Sequence, residues 1–401
     1  MNLQTTDRAT VTLSEEKENT AAAEKFCVGK GTGRNYGIDL LRIISMTMIV
    51  TLHVLRQGGI LYAVKEDSAQ YYAAWLLEAL CIGAVNLYAM ISGFVGVKSG
   101  SVHFYRLASM WLQVEFYCII SSVIVFCMHP EAFSFSELVN RLAPVSTNAY
   151  WYFTAYFFMF FFTPFYNKLL NILSEKQLKY LGTVIFLFSS LWPTVWQSDL
   201  FELHNGYSFL WLSLLYMLGG IANKLKLYEK INRGIMIGLF AVLMLAGAAF
   251  SFCSQAFGWP VENDGLLLSY YSANIVAGSF CLLLAAAKTK ISSKVPVKII
   301  SALSPLTFGV YIIHTSEYVW NYVIKGAFSD YSSMPATVMV LAVIGTALLI
   351  YLVCSAIDGV RYALFKLIKA DAFTRFLEAK IRRAFHQKSI KNESGGQKNE
   401  Y

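Results

Sequence analysis

Charged residues are scarce in this chain. Asp, Glu, Lys and Arg make up only 14% of its 401 residues, while 56% are hydrophobic and the mean hydropathy is +0.49. A soluble protein of this length carries roughly a quarter of charged residues. The apolar residues come in blocks of about 20, which is the length of a helix that crosses a hydrocarbon core of about 30 Å. The composition excludes a soluble globular domain and predicts an all-α, polytopic transmembrane helical bundle.

Motifs of several common site types are also missing. The seven cysteines include no CxxC pair, so we interpret them as small core residues rather than disulfides or metal ligands. No His/Cys/Asp cluster has metal-ligand spacing, and there is no Gly-rich phosphate loop or nucleophile elbow. We therefore expect no metal and no permanently bound cofactor. The net charge of +8 comes from basic residues between apolar blocks and in the tails, which indicates membrane topology rather than nucleic-acid binding.

The apolar blocks predict about ten membrane spans. They lie at about 37–57, 74–97, 107–128, 150–170, 180–197, 207–224, 234–253, 268–288, 302–322 and 335–357. Residues 1–35 are polar and are expected to form a disordered cytoplasmic tail without a cleavable signal peptide. Residues 36–358 form the predicted transmembrane domain. Residues 359–401 form a basic cytoplasmic tail whose first part is expected to be an amphipathic helix on the inner leaflet.

The distribution of basic residues predicts the orientation. With ten spans and both termini in the cytoplasm, 28 of the 33 lysines and arginines fall on the inner side and 4 on the outer side. The remaining one, Arg42, lies within a span. Cytoplasmic loops carry an excess of basic residues, so this division supports both termini being cytoplasmic.

The first span contains three ionisable residues in the stretch "RNYGIDLLRIISMTMIVTLHVLRQGG". Arg42 and His53 are eleven residues apart, so they share one helix face and lie about 16 Å apart along the axis. Asp39 precedes Arg42 by three residues and can pair with it. Ionisable groups within spans usually face the bundle interior and mark a substrate path. The alternative is an interfacial Asp39–Arg42 ion pair and a buried structural histidine.

Further polar and aromatic residues within the predicted spans are candidates for the same interior. Glu115 lies inside the third span, where an acid is costly unless it is paired or hydrated. Asn86 in the second span could bind substrate or form an interhelical hydrogen bond. Trp151 and Tyr152 stand at the outer end of the fourth span, as an aromatic belt or as a stacking surface for a sugar.

Several segments resemble, in order, those of the acyltransferase-3 family of integral-membrane acyltransferases. They are "GIDLLRIISMTMIVTLH", with an Arg, ten residues and a His; "NLYAMISGFVG"; "WYFTAYFFMFFFTPFYNKLL"; "YSFLWLSLLYMLGGIANK"; and "LSPLTFGVYIIHT". The last contains Tyr311 and His314, which share a helix face and are candidates for the core cavity. The resemblance covers about residues 35–360. No SGNH-type domain is visible, so we expect direct transfer or a separate partner protein.

The resemblance implies transfer of an acyl group, usually from cytoplasmic acetyl-CoA, to a hydroxyl of a cell-surface polysaccharide or lipid-linked sugar. Arg42 would hold the donor, with Arg106 as a second candidate for the CoA phosphates unless it only snorkels to headgroups. His53 would be a general base or an acyl carrier. His314, Tyr311 and Glu115 would shape the cavity.

The expected partners are acetyl-CoA as co-substrate, a glycan or lipid-linked acceptor, the lipid bilayer and separate envelope-biosynthesis proteins. The expected location is the cytoplasmic membrane. A transporter or flippase of envelope glycan precursors is the main alternative, although the sequence shows no inverted repeat.

Overall fold

The computed structural model describes residues 34–99, 103–199, 201–257 and 267–396. The described residues form helices and turns and no β-strand, which confirms the all-α class. From Tyr36 onward they belong to one compact unit. The predicted disordered tail lies almost entirely outside the described residues.

The helices are numbered in chain order. The first eight are α1 Tyr36–Arg56, α2 Ile60–Ala63, α3 Ala69–Cys81, α4 Ala84–Gly96, α5 Phe104–Met128, α6 Phe135–Arg141, α7 Trp151–Ile172 and α8 Glu175–Phe186. The remaining eight are α9 Trp192–Trp196, α10 Phe209–Lys224, α11 Arg233–Ala256, α12 Ala273–Lys288, α13 Lys294–Leu303, α14 Thr307–His314, α15 Ala336–Leu367 and α16 Ala370–Gly396. Two π-helical segments, Leu187–Leu191 and Val319–Ile324, interrupt the regular pattern.

Seven helical segments of the described chain are long and apolar enough to cross a membrane. They are Tyr36–Ala63, Ala69–Gly96, Phe104–Met128, Glu175–Trp196, Arg233–Ser254, Lys294–His314 and Ala336–Leu367. The other three predicted spans coincide with α7, α10 and α12. Helices α10 and α12 have 16 residues each and would reach only about 24 Å, less than the hydrocarbon thickness. A total of ten spans stays a prediction.

Local sequence explains where several helices begin and break. Ser68, Ser134, Ser174 and Ser208 each accept a backbone hydrogen bond as N-cap residues.

The ninth predicted span begins earlier than expected, at Lys294, and it is broken by the 3-10 turn at Ser304–Leu306 that contains Pro305. Pro305 cannot donate an amide hydrogen bond, so α13 and α14 are separate helices.

Helices α4 and α10 pack with their backbones in direct contact. A Cβ atom added at Gly93 would lie 1.8 Å from the Tyr216 carbonyl oxygen, and one at Gly219 would lie 1.9 Å from that of Met90. The absence of side chains at both glycines permits this approach, as small residues do between membrane helices.

Helix α1 runs through the centre of the bundle. Its apolar side chains contribute to both large clusters of buried residues. Helix α11 is at the periphery: only 17% of its most apolar window is buried, although the mean hydropathy of that window is 2.4. This arrangement places α1, and with it His53, in the interior.

Candidate active site

A cavity of about 1230 Å³ opens beside α1. Its lining combines aromatic rings with a few polar groups, which is typical of a binding site for a ligand with apolar faces. The lining residues used below are His53, Arg56, Gln57, Tyr88, Arg141, Trp151, Tyr152, Tyr207, Tyr270, Tyr311, Glu317 and Trp320.

Two histidines from distant parts of the chain meet at the cavity wall. His53 Nδ1 lies 2.8 Å from His314 Nε2, and the ring centroids are 5.0 Å apart. His314 is completely buried, whereas His53 lines the cavity. Helices α1 and α14 bring these two residues together, 261 positions apart in sequence.

The hydrogen bonds determine which nitrogen of each neutral imidazole carries the proton. His314 Nδ1 lies 2.6 Å from the Val310 carbonyl oxygen. A carbonyl oxygen can only accept, so His314 Nδ1 carries the hydrogen and Nε2 is an acceptor. His53 Nδ1 must then donate to His314. His53 Nε2 therefore keeps its lone pair, as a general base requires.

Trp320 packs against the His53 ring, and Gln57 bonds to the Trp320 backbone. The Trp320 and His53 ring centroids are 4.8 Å apart at 90°, and Gln57 Nε2 donates to the Trp320 carbonyl at 3.3 Å. Trp320 belongs to the π-helical segment Val319–Ile324, a type of irregularity that often occurs at functional sites. The His53 imidazole is thus held by His314 of α14 and by Trp320 of this segment.

Aromatic side chains form the wall near Trp151. The Trp151 ring centroid lies 4.5 Å from that of Tyr207 and 6.2 Å from that of Tyr270, at an interplanar angle of 24° to the latter. Tyr152 lies 6.2 Å from Tyr311, and the buried Tyr152 hydroxyl has no hydrogen-bond partner in the described structure. Trp151, Tyr152 and Tyr311, all predicted from the sequence, line the same cavity.

The Arg42 side chain does not line this cavity. Its Nη1 donates to Asp39 Oδ1 at 2.8 Å, and its side chain is 31% exposed. The lining of the described cavity includes Tyr88, whose hydroxyl donates to the Arg42 carbonyl at 2.7 Å, but not the Arg42 side chain. The structure brings His53 and His314 together and leaves Arg42 and Asp39 as a neighbouring ion pair.

Three further predicted residues also lie outside the cavity lining. Asn86 donates to the Tyr270 carbonyl at 2.6 Å and accepts from Trp211 Nε1 at 3.1 Å, so its amide holds the loop that carries Tyr270. Glu115 Oε1 is buried and has no hydrogen-bond partner in the described structure. Arg106 is exposed, with its Nε 3.3 Å from the Tyr105 hydroxyl.

The sequence patterns did not predict an ion pair that lies at the cavity wall. Arg56 Nε donates to Glu78 Oε1 at 2.6 Å, and Glu78 is completely buried. The available signal was the position of Arg56, three residues after His53 and on nearly the same helix face. The distribution of basic residues places Arg56 among the four on the outer side, and no sequence motif contains Glu78.

A second ion pair ties the rim of the cavity together. Arg141 at the end of α6 contacts both Glu317 and Glu137. Partial burial alone would lower the pKa of Arg141, but its hydrogen bonds and ion pairs with Glu317 and Glu137 raise the pKa above its ordinary value. Arg141 is therefore a permanent cation whose charge is already matched.

A buried polar network was also missed. Asp358 accepts from Gln113 Nε2 at 3.0 Å, from Tyr117 Oη at 2.8 Å and from Arg361 at 2.8 and 2.9 Å. It connects α5 to α15 next to Gly309 of α14. The i, i+3 spacing of Asp358 and Arg361 is the sequence signal.

The described residues contain no group of three or more His, Cys, Asp or Glu side chains placed to hold a metal ion. The arrangement around His53 supports proton transfer by an imidazole.

The comparisons with known proteins address the family. A family model described as an acyltransferase domain, of the acyltransferase-3 type, matches residues 35–355. Searches of curated proteins and of solved structures each gave no match. The matched range includes His53, His314 and all of the cavity-lining residues, and it covers well over half of the chain. This protein belongs to the acyltransferase-3 family and is a multi-pass membrane acyltransferase.

Proposed function

We propose that this protein transfers an acetyl group from acetyl-CoA to a hydroxyl of a cell-surface polysaccharide or lipid-linked sugar. The observation that carries the proposal is the hydrogen-bond chain from His53 through His314 to the Val310 carbonyl, which leaves His53 Nε2 as a base on the cavity wall.

The chemical step uses one atom of the protein directly. His53 Nε2 removes the proton of the acceptor hydroxyl while its oxygen attacks the thioester carbonyl carbon. The carbon–sulfur bond breaks, and the CoA thiolate takes the proton back from His53. In an alternative order, Nε2 attacks the thioester carbon and CoA leaves as a thiolate, which gives an acyl-imidazolium. The sugar oxygen then attacks the acyl carbon, the carbon–nitrogen bond to the imidazole breaks, and the hydroxyl proton passes to the CoA thiolate.

The rest of the site supports this assignment. The aromatic wall around Trp151 offers flat apolar surfaces to the C–H faces of a sugar ring. Arg42 lies outside the cavity lining but next to Tyr88, which lines it, and its cationic side chain suits an anionic nucleotide. With both termini in the cytoplasm, acetyl-CoA enters the site from the cytoplasmic side of the membrane, and the acceptor enters from the outer side.

The test uses membranes with labelled acetyl-CoA and measures label in envelope glycans. Replacement of His53 by Ala should lower the transfer rate by about 10²–10⁴-fold, the range for loss of a general base. His129→Ala is the matched control, because His129 lies outside the cavity lining and pairs with Glu131. Unchanged transfer by the His53→Ala protein would remove the proposal.

The order of steps is tested separately by omitting the acceptor. Label that remains on the protein and is released by hydroxylamine indicates an acyl-imidazole. Its absence, together with normal transfer when acceptor is added, indicates direct attack.

A further inference from the structure

Arg56 occupies the cavity wall one helical turn beyond His53. Residues three apart on a helix lie on neighbouring parts of one face. The Arg56 side chain is 46% exposed, although the Glu78 carboxylate to which it bonds is fully buried. The guanidinium is therefore accessible next to the proposed base.

Glu78 holds Arg56 in a defined orientation. Only Nε donates to Glu78, and within the described structure the terminal nitrogens Nη1 and Nη2 make no hydrogen bond to the protein. These two nitrogens form the planar fork that matches the paired oxygens of a carboxylate or phosphate. Since Glu78 balances the charge, selectivity must come from the hydrogen bonds of the fork.

The neighbours of Arg56 are suited to a sugar. Tyr207 and Tyr270 line the same cavity as Arg56, their ring centroids are 5.1 Å apart, and both rings contact Trp151. Arg141, the other arginine of the described lining, is paired with two carboxylates.

We infer that Arg56 selects an anionic acceptor. It binds a carboxylate or phosphate group on the sugar unit whose hydroxyl faces His53. The identity of this ligand as the acceptor rests on the proposed function, but its binding requires no acyl transfer.

The experiment measures binding by the intrinsic fluorescence of the cavity tryptophans Trp75, Trp151 and Trp320 in purified full-length protein. Three probes are titrated: glucose, glucuronic acid and glucose 1-phosphate. At least one anionic sugar should bind about tenfold or more tightly than glucose, since a charge-assisted pair adds about 1.4 kcal/mol or more. If glucuronic acid binds more tightly than glucose 1-phosphate, the recognised group is a carboxylate; if glucose 1-phosphate binds more tightly, it is a phosphate. Equal affinity for all three sugars would overturn the inference.

Two variants test the residue itself. The double variant Arg56→Gln/Glu78→Gln leaves no buried charge unpaired, and it should lose the anionic preference while glucose binding is retained. Arg56→Lys keeps the ion pair but not the fork, so it should lose most of the preference. If the double variant keeps the full preference for anionic sugars over glucose, the inference is overturned. If the double variant does not fold, the same preference in the Arg56→Lys protein overturns the inference.

His53→Ala separates this inference from the proposed function. It should keep the wild-type preference for anions, because it removes only the base. Anion preference without any acetyl transfer by the wild-type protein would reject the proposed function alone. Transfer without anion preference would reject the role of Arg56 alone.

Discussion

At the scale of single residues, the nitrogen that carries the proton in each imidazole determines which nitrogen can act as a base. The Val310 carbonyl fixes the hydrogen on His314 Nδ1, and His314 in turn orients His53. His314 is buried behind His53 and reaches the reacting atoms only through it. We therefore assign it a positioning role.

His314→Gln should lower kcat for acetyl transfer by about 10- to 100-fold with little change in KM, because the base remains but its orientation is lost. Initial rates with labelled acetyl-CoA at varied acceptor concentration measure both constants. A rise in KM with unchanged kcat would show instead that His314 shapes the binding site.

At the scale of helices, close backbone contacts and buried polar bonds hold the bundle around the cavity. The crossing of α4 and α10 depends on glycine, and the network around Asp358 connects α5 to α15. Neither feature touches the proposed reacting atoms, so both should affect stability more than chemistry.

Gly219→Leu should destabilise the protein by about 1–3 kcal/mol or more, because the new side chain overlaps the α4 backbone at Met90. Thermal unfolding in detergent, followed by circular dichroism, measures the effect. Gly345→Leu is the matched control, since a Cβ at Gly345 has no neighbour within 4 Å. Equal melting temperatures for both variants would contradict the proposed crossing.

Asp358→Leu should cost about 3–5 kcal/mol, because it leaves the largely buried Arg361 without its carboxylate. The double variant Asp358→Leu/Arg361→Met should recover much of that stability, since it buries no unpaired charge. The same thermal unfolding assay applies. Similar melting temperatures for the single and double variants would show that the ion pair is not the source of the loss.

At the scale of the whole molecule, helices with exposed apolar faces surround an interior in which a few clusters of charged and titratable groups lie among apolar side chains. The apolar residues of α11 and α15 are largely exposed, as lipid-facing surfaces are. The charged and titratable groups around His53 and Asp358 lie inside. The exposed apolar helix faces require a lipid environment, and the basic loops predict the orientation of the protein in the membrane.

Cysteine labelling in intact cells tests that orientation. In a background without the native cysteines, Lys325→Cys should react with a membrane-impermeant maleimide, because this loop is predicted to be outside. Lys290→Cys should react only after permeabilisation. The reverse pattern would invert the proposed paths of donor and acceptor.

The sequence predicted those features that depend on residues close together in the chain. The hydropathy blocks located the helices, and the eleven-residue spacing from Arg42 to His53 indicated a polar helix face. The ninth span was placed too late because Lys294 and Lys298 resemble loop residues. Arg56 and Glu78 were missed because their pairing joins two helices, and no local pattern records such a contact.

The sequence by itself determined that this chain forms apolar helices with ionisable groups on the first of them, because both properties depend on residue type and helical period. Only the tertiary structure decided which groups meet. It joined His53 to His314 and Arg56 to Glu78, and it left Arg42 outside the cavity lining. These pairings depend on how distant helices pack, and packing follows from side-chain volumes and glycine contacts across the whole bundle.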